Sequence, residues 1–564
     1  MTTLDLAKAW LDQDPDPLTR AELEALIPAA EGGDAAAMDA LRDRFDTRLT
    51  FGTAGLRGEL GAGSNRMNRV LVAQAATGFA RWLLARDAPN PTEPPSVVIG
   101  YDGRVNSDVF ARDSAELMAG AGMRVVLLPR ALPTPVLAFA VRELGLSAGV
   151  MVTASHNPPR DNGYKVYLGG RDGGSQIVAP ADEAIHAAIL EVAHSSVVGE
   201  LPRSTAYETA DETIIDAYIA RTAALVTHTA ESTVIEPVAF VYTAMHGVGW
   251  EVAQRVFRDA GLGEPTVVAE QIEPDGAFPT VAFPNPEEPG AMDLAFATAR
   301  AAGAELIIAN DPDADRLAVA IPDSSTPDGW RRLSGNAVGA LLGWRAAERL
   351  EREGRQAKFA ASLVSSPALS AVASAYGISY SDTLTGFKYI SRVGGLGYGF
   401  EEALGYLVDP AKVRDKDGIS AAVDFLALAG ELKAAGHTLD DHQRTFDERF
   451  GAFASAQVSL RVTDLSRIGA IMAELRDSAP NEVGGVRVEQ VDDFIGGFGV
   501  FAPSDILRFW MRGGARVIVR PSGTEPKVKV YIDASSDQGS VEDRRAAAQA
   551  EVAALEAGMR ALIV

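Results

Sequence analysis

The chain has 564 residues, of which 47% are hydrophobic and 23% charged, a composition that excludes wholesale disorder or a fibrous repeat and, at this length, calls for about three or four folded domains. It has no cysteine, which excludes disulfides, a thiol nucleophile and cysteine-ligated zinc and suits a reducing compartment. A net charge of −24 argues against nonspecific nucleic-acid binding, so any anion must be recognised by a local basic pocket.

The opening MTTLDLAKAWLDQDP lacks the basic-then-apolar pattern of a secretory signal, and no apolar run is long enough to span a membrane, so the expectation is a cytoplasmic protein without a membrane partner. Helical periodicity continues through about Arg48. From Gly78 to Ala85 a helix pattern leads into the strand-like SVVIGYDGR, then another helix leads to MRVVLLP. The strand AGVMVTA runs directly into SHNPPRDNGYKVYL, which puts polar residues where a strand leaves its sheet, the place where α/β domains build sites. A second cycle begins near Tyr207, with a helix around Asp216, strands VAFVYTAMHGVG, PTVVAE and AELIIAN, and helices VAQRVFRDAG and one from Ala291. A third, from about Asp323, holds the helix NAVGALLGWRAAERL, the strand AASLVSS, the helix ALSAVASAYG and the strand ISYSDTL. The remainder is strand-rich in its middle and ends in a helix, which favours α+β there. The expected domains are 1–205, 206–322, 323–450 and 451–564.

Three segments carry chemistry. In Thr153-Ala154-Ser155-His156-Asn157-Pro158 a serine at a strand exit, followed by a proline-fixed turn, can present its hydroxyl and accept a phosphoryl group; by itself the segment also reads as an ordinary turn, and it is not the Gly-x-Ser-x-Gly elbow of serine hydrolases. In Asp311-Pro312-Asp313-Ala314-Asp315-Arg316 alternating carboxylates offer hard oxygen donors suited to Mg²⁺. A calcium-binding EF-hand loop is disfavoured, because Arg316 occupies its turn-glycine position and Pro322 that of its bidentate glutamate. In Arg520-Pro521-Ser522-Gly523-Thr524-Glu525-Pro526-Lys527, with Lys529 beyond, hydroxyls, backbone amides and cations can cradle a phosphate, without the spacing of a Walker loop. Two weaker segments, Asp382 to Lys388 and Gly399 to Ala403, combine hydroxyls, a cation and acids of the kind that bind a polyhydroxylated sugar.

Taken in order, Thr-Ala-Ser-His-Asn-Pro, Asp-Pro-Asp-Ala-Asp-Arg, Thr-Gly-Phe-Lys, Glu-Glu-Ala-Leu-Gly and Arg-Pro-Ser-Gly-Thr resemble the α-D-phosphohexomutase family over almost the whole chain. The resemblance implies an α/β fold of four domains, three α/β and a smaller C-terminal α+β domain, around a central cleft. It implies a phosphosugar mutase that works through phosphoserine at Ser155 and a bisphosphorylated intermediate, with Mg²⁺ held by Ser155, Asp311, Asp313 and Asp315. Arg57, in a segment similar to the family's N-terminal active-site loop, joins His156, Lys165, Arg316 and Lys416 as implied electrostatic or proton-transfer groups. Thr385, Gly386, Lys388, Glu401, Arg520, Ser522, Gly523, Thr524, Lys527 and Lys529 are the implied sugar-phosphate contacts.

Asp382 to Lys388 and Thr243 to Gly249 look more like the phosphoglucomutase and phosphopentomutase branch, which favours interconversion of glucose 1-phosphate and glucose 6-phosphate, with glucose 1,6-bisphosphate as primer. One departure is that the family's Glu-x-Ser sugar loop is Glu401-Glu402-Ala403 here. Mannose and pentose phosphates remain competing substrates, a metal-dependent phosphohydrolase is the nearest other enzyme, and a noncatalytic sugar-phosphate sensor is the alternative outside enzymology. The implied partners are small-molecule sugar phosphates, and the oligomeric state is open between monomer and homodimer.

Overall fold

Ala148–Val152 is buried at every position, so this apolar run must be an interior strand with both faces covered. The computed structural model, which describes every residue except 54, 88–93, 231–233, 463, 465, 523–526 and 564, places it at the centre of the first sheet. That sheet runs Leu56–Glu59, Asp161–Leu168, Ala148–Val152, Ser96–Tyr101, Arg124–Leu127, Glu208–Thr209. Its four strands from Ala148–Val152 onward are parallel, whereas Asp161–Leu168 and Leu56–Glu59 are antiparallel additions. The helices Thr3–Gln13, Pro17–Glu31 and Ala35–Phe45 bury Trp10, Leu23, Leu41 and Phe45 in the core under this sheet.

The second sheet runs Trp330–Arg332, Leu317–Pro322, Leu306–Asn310, Phe240–Thr243, Thr266–Val267. The last three are parallel, and Leu317–Pro322 returns antiparallel directly from the acidic loop that leaves Leu306–Asn310. Because Trp330–Arg332 completes this sheet, the residues just after 322 belong with it rather than with the third cycle.

The described chain divides into two compact units, Met1–Leu333 with Gly405–Gly430, and Ser334–Leu404 with Glu431–Val564. In the second unit Ser379–Thr383, Lys358–Ser362 and Leu396–Glu401 are parallel neighbours, flanked by the helices Gly335–Glu353 and Ala368–Ala375. The C-terminal sheet is antiparallel throughout, in the order Ala452–Arg461, Lys527–Ser536, Arg516–Pro521, Leu507–Met511, Val486–Asp493, Glu482–Val483. The helices Ser466–Asp477 and Val541–Ile563 bury Met472, Leu475, Leu555 and Met559 against it. Three α/β layers built around parallel strands, two of them with antiparallel strands added, and one antiparallel α+β layer match the expected fold class. Among the described residues no helix is long and apolar enough to cross a membrane.

Two expected elements differ. SHNPPRDNGYKVYL, expected as polar residues at a strand exit, ends in the strand Asp161–Leu168, because Lys165 to Leu168 pair antiparallel back onto Ala148 to Met151. VAFVYTAMHGVG is strand only over Phe240–Thr243, since Met245 (φ 48°) and His246 (φ 59°) turn the backbone left-handed and end the ladder.

His442 stacks on Trp344 in the second unit, ring centroids 4.3 Å apart and planes 1° from parallel. Burial, then the neighbouring Arg345, pulls its pKa from 6.5 down to about 4. The unfolded chain therefore binds more protons between these values, and stability present above pH 6.5 is lost as the pH falls toward 4. Urea unfolding of this unit is expected to cost about 2 kcal/mol less at pH 5 than at pH 7 through this group. His442→Gln should lose that part of the difference, and an unchanged pH dependence in the variant would reject the assignment.

Candidate active site

Ser155 lies three residues beyond the strand Ala148–Val152, in a turn closed by Thr153 Oγ1, which accepts from the Ser155 amide at 2.8 Å, and by the Asn157 amide on the Ala154 carbonyl at 3.1 Å. The turn forces Ser155 to φ 51°, a left-handed backbone uncommon for residues other than glycine. Only 2% of the residue is exposed. Its hydroxyl donates to Asp311 Oδ2 at 2.9 Å and lies 3.2 Å from His156 Nδ1. This one contact joins the end of the first sheet to the acidic loop of the second.

That loop is fixed from several sides. The Ala314 amide donates to the Asp311 carbonyl at 2.8 Å, with Ala314 at φ 54°. Asn310 Nδ2 donates to the Arg316 carbonyl at 2.6 Å, and the Arg316 amide donates to Asp311 Oδ1 at 3.0 Å. Two glycines allow backbone to press on it: a Cβ at Gly247 would stand 2.3 Å from Pro312 Cα, and one at Gly418 would stand 2.2 Å from the Arg316 carbonyl oxygen. Asp311, Asp313 and Asp315 are wholly buried and can each offer an oxygen within 4.8 Å of the others.

Two ammonium groups offset part of this charge. Lys165 Nζ donates to Asp313 Oδ2 at 2.7 Å and Asp315 Oδ2 at 2.9 Å, and Lys416 Nζ lies 2.7 Å from Asp315 Oδ2. Thr134 Oγ1 also donates to Asp313 Oδ2 at 2.7 Å. Burial opposes ionisation of Asp313, but Lys165 and Lys416 overcome it and hold the carboxyl well below the usual carboxylate range. Asp311 has no such amine, and burial together with Asp313 and Asp315 drives its carboxyl well above that range. Burial, reinforced by Arg316 and Arg57, pushes His156 well below an ordinary imidazole, so its ring is neutral at physiological pH.

Among the described residues nothing hydrogen-bonds the buried Oδ1 atoms of Asp313 and Asp315. Such atoms are costly unless a cation meets them, and three convergent carboxylates suit a hard divalent ion. The residues present fit a metal.

Arg57 Nη1 donates to Asn157 Oδ1 at 3.1 Å, and Arg316 Nε lies 3.9 Å from Asp311 Oδ2 and 3.8 Å from Asp315 Oδ1. Ser155, His156, Lys165, Arg57, Arg316, Lys416 and the three aspartates therefore converge in the first unit. Residues that neither motif nor resemblance singled out support them. Tyr167 Oη and Gln176 Nε2 donate to Asp415 Oδ2 at 2.8 and 2.6 Å, which fixes the residue before Lys416, and Arg104 binds the carbonyls of the Ser155 turn. Tyr167 lies between apolar Val166 and Leu168, but Asp415 stands among charged neighbours, and their pairing across the fold was not readable from sequence.

The second unit gathers the other group. Arg520 sits opposite Lys529 in the ladder between Arg516–Pro521 and Lys527–Ser536, and two-residue periodicity puts Lys527 on the same face. The Ser522 amide donates to the Lys527 carbonyl at 2.8 Å, while Gly523 and Thr524 lie outside the described residues. Gly386, at φ 113°, precedes the short helix Phe387–Ile390, and no described residue hydrogen-bonds the buried Oγ1 of Thr385. Glu401 ends the strand Leu396–Glu401 and is 8% exposed. Glu402, where the family pattern has a variable residue, accepts from Ser362 and Ser365 hydroxyls at 3.1 and 2.9 Å. Burial, then the charge of Glu402, raises the pKa of the Tyr531 phenol, with Arg520 and Glu401 also acting on it, so these residues share one neighbourhood.

The chain matches the phosphoglucomutase/phosphomannomutase family in four successive segments: alpha/beta/alpha domain I over residues 48–195, domain II over 216–324, domain III over 334–447, and the C-terminal domain over 460–551. It belongs to this family. A Haemophilus influenzae protein named "Probable phosphomannomutase" is 55% identical over 85% of this chain and 95% of its own length. The mouse phosphopentomutase is 35% identical over 94% of this chain and 90% of its own. A solved phosphoglucomutase/phosphomannomutase family protein from Burkholderia thailandensis covers 92% of this chain and 97% of its own with a TM-score of 0.66 at 21% identity, a likeness of fold. As a member of this mutase family the protein is an enzyme, an intramolecular phosphotransferase.

Asp313→Asn is expected to weaken Mg²⁺ binding by about 100-fold or more, since even loss of a ligand's hydrogen-bond partner costs about 10- to 100-fold. Calorimetric titration with Mg²⁺ checks it, with circular dichroism to confirm the fold, and wild-type affinity would remove Asp313 from the metal group.

Proposed function

We propose that the protein is a phosphosugar mutase that carries the phosphoryl group on Ser155 Oγ and moves it between two hydroxyls of one sugar phosphate. The observation that carries this reading is the Ser155 hydroxyl, 2.9 Å from Asp311 Oδ2 at the edge of three buried, metal-fitting carboxylates. Together with Ser155, Asp311, Asp313 and Asp315 would hold Mg²⁺, which when bound supplies positive charge opposite the phosphoryl oxygens.

The other groups follow from their chemistry. Arg57 and Arg316 offer guanidinium N–H groups to phosphoryl oxygens as charge grows in transfer. Lys165 holds the Asp313 and Asp315 carboxylates from one side and Lys416 holds Asp315 from another, which fixes their orientation. As the phosphorus–Oγ bond breaks and a bond to the sugar hydroxyl oxygen forms, that hydroxyl releases a proton and Oγ takes one up. Neutral His156, with Nδ1 3.2 Å from Oγ, can hold this proton in transit. The first half-reaction leaves a bisphosphorylated sugar, which must reverse before its second phosphate returns to Ser155. Arg520, Ser522, Gly523, Thr524, Lys527 and Lys529 would grip the phosphate that is not transferring, while Thr385, Gly386, Lys388 and Glu401 bind the sugar. Glucose 1,6-bisphosphate would recharge an enzyme that has lost its phosphate to water.

Glucose phosphate is the proposed sugar on the Asp382 to Lys388 and Thr243 to Gly249 segments. Pentose phosphate is the second reading, supported by the phosphopentomutases that match 94% of the chain. With Mg²⁺ and trace glucose 1,6-bisphosphate, glucose 1-phosphate should give glucose 6-phosphate with the highest kcat/KM among glucose, mannose and ribose 1-phosphates, with little free phosphate. Preference for ribose or mannose 1-phosphate reassigns the sugar, rapid phosphate release favours a hydrolase, and binding without turnover favours a sensor. Ser155→Ala should abolish phosphoenzyme and lower turnover by at least about 10⁴-fold while folding normally; phosphopeptide mass spectrometry and rate measurement check it.

A further inference from the structure

The Ser155 turn is stapled by a residue with no place in the mechanism above. Arg104 follows the strand Ser96–Tyr101, whose Tyr101 pairs with Val152 of the strand leading to Ser155. Its Nη2 donates to the carbonyls of Ser155 at 2.7 Å and Asn157 at 2.6 Å, and its Nη1 to those of Pro158 at 2.9 Å and Asp161 at 3.0 Å. All four terminal N–H bonds of the guanidinium are thus committed to the backbone of one turn. The side chain is 1% exposed, with buried Asp102 as counter-charge at 3.6 Å. Asp102 is itself held by the Arg104 amide at 3.0 Å and the Ser107 hydroxyl at 2.7 Å.

A second observation points the same way. The guanidinium carbon lies 4.9 Å from the ring centroid of Phe278, which comes from the segment that also carries the acidic loop's sheet. Phe278 adopts φ 48°, a strained backbone for an aromatic residue, and so is held over Arg104 by its surroundings. Burying a charged group to bind four carbonyls is a costly way to hold an ordinary turn. It is suited to a turn that must keep one hydroxyl fixed while its serine sits at φ 51°.

We propose that Arg104, capped by Phe278, is the positioning residue that fixes Ser155 Oγ against Asp311 for in-line phosphoryl transfer. This rests on Ser155 as the phosphoryl carrier. Lysine retains the charge but has one nitrogen and no planar fork, so it cannot span the four carbonyls. A displacement of about 1 Å at a reacting atom costs about 100-fold in rate.

The test is rapid-quench phosphorylation of the dephosphorylated full-length enzyme by glucose 1,6-bisphosphate with Mg²⁺, which reads the amplitude and the first-order rate constant separately. R104K is expected to reach wild-type phosphoserine stoichiometry with a rate constant lower by about 100-fold, and to show a similar fall in kcat with KM changed less than about threefold. A rate constant within threefold of wild type, or a loss confined to amplitude as in a partly unfolded sample, overturns the proposal. Should R104K not fold, Phe278→Leu, which keeps the arginine and removes the ring, is read by the same criteria against an expected fall of about fivefold; an unchanged rate constant then overturns it. Wild-type enzyme that acquires no phosphate on Ser155 would instead overturn the carrier reading itself.

Discussion

Three carboxylates buried within a few ångströms of one another repel strongly, and the first unit is organised around making that arrangement tolerable. Lys165 arrives from an antiparallel strand of the first sheet and Lys416 from the segment Gly405–Gly430 that returns to this unit. Thr134, at the start of a helix of the first domain, adds a hydroxyl and anchors the Asp313 carbonyl through its own amide. The compensation is unequal. Asp313 and Asp315 each meet an amine on Oδ2 while no described residue hydrogen-bonds their Oδ1, whereas Asp311 takes the Ser155 hydroxyl on one oxygen and the Arg316 amide on the other. A site with this imbalance favours a divalent cation.

How much of this was legible depends on whether a group's partners are near it in sequence. The acidic loop was readable because its carboxylates alternate within six residues between two apolar strands, so local spacing determines convergence. The strand-exit position of Ser155 was readable for the same reason. Its left-handed backbone was not, because that follows from Thr153, Arg104 and the pairing of Asp161–Leu168 taken together. Lys416 came from resemblance alone, and its neighbour Asp415 is explained only by a tyrosine and a glutamine more than two hundred residues earlier. Arg104 sits in a short polar turn where an arginine usually reads as a solvated charge.

The sugar loop illustrates a different limit. The departure from Glu-x-Ser at Ala403 suggested a missing hydroxyl, and at the variable position beside it the Ser362 and Ser365 hydroxyls occupy the Glu402 carboxylate within the third sheet's own layer. Arg516 reaches the Ser365 carbonyl from the C-terminal sheet and pairs with Asp533 at 3.0 Å, so the acid belongs to a polar network joining two layers of the second unit. Among the described residues the buried Oγ1 of Thr385 has no hydrogen-bond partner. A sequence pattern marks a position as variable, but only packing identifies the role its residue takes.

The backbone of Ser155 has a consequence for which amino acid can serve at that position. Threonine has the same hydroxyl chemistry and would form an equivalent phosphate ester, but its β-methyl crowds the left-handed region where Ser155 sits at φ 51°. Chemical equivalence of the hydroxyl is therefore insufficient. The fold selects serine by conformation, so interchange of hydroxyl residues, harmless on most surfaces, strains this turn whatever chemistry its hydroxyl performs.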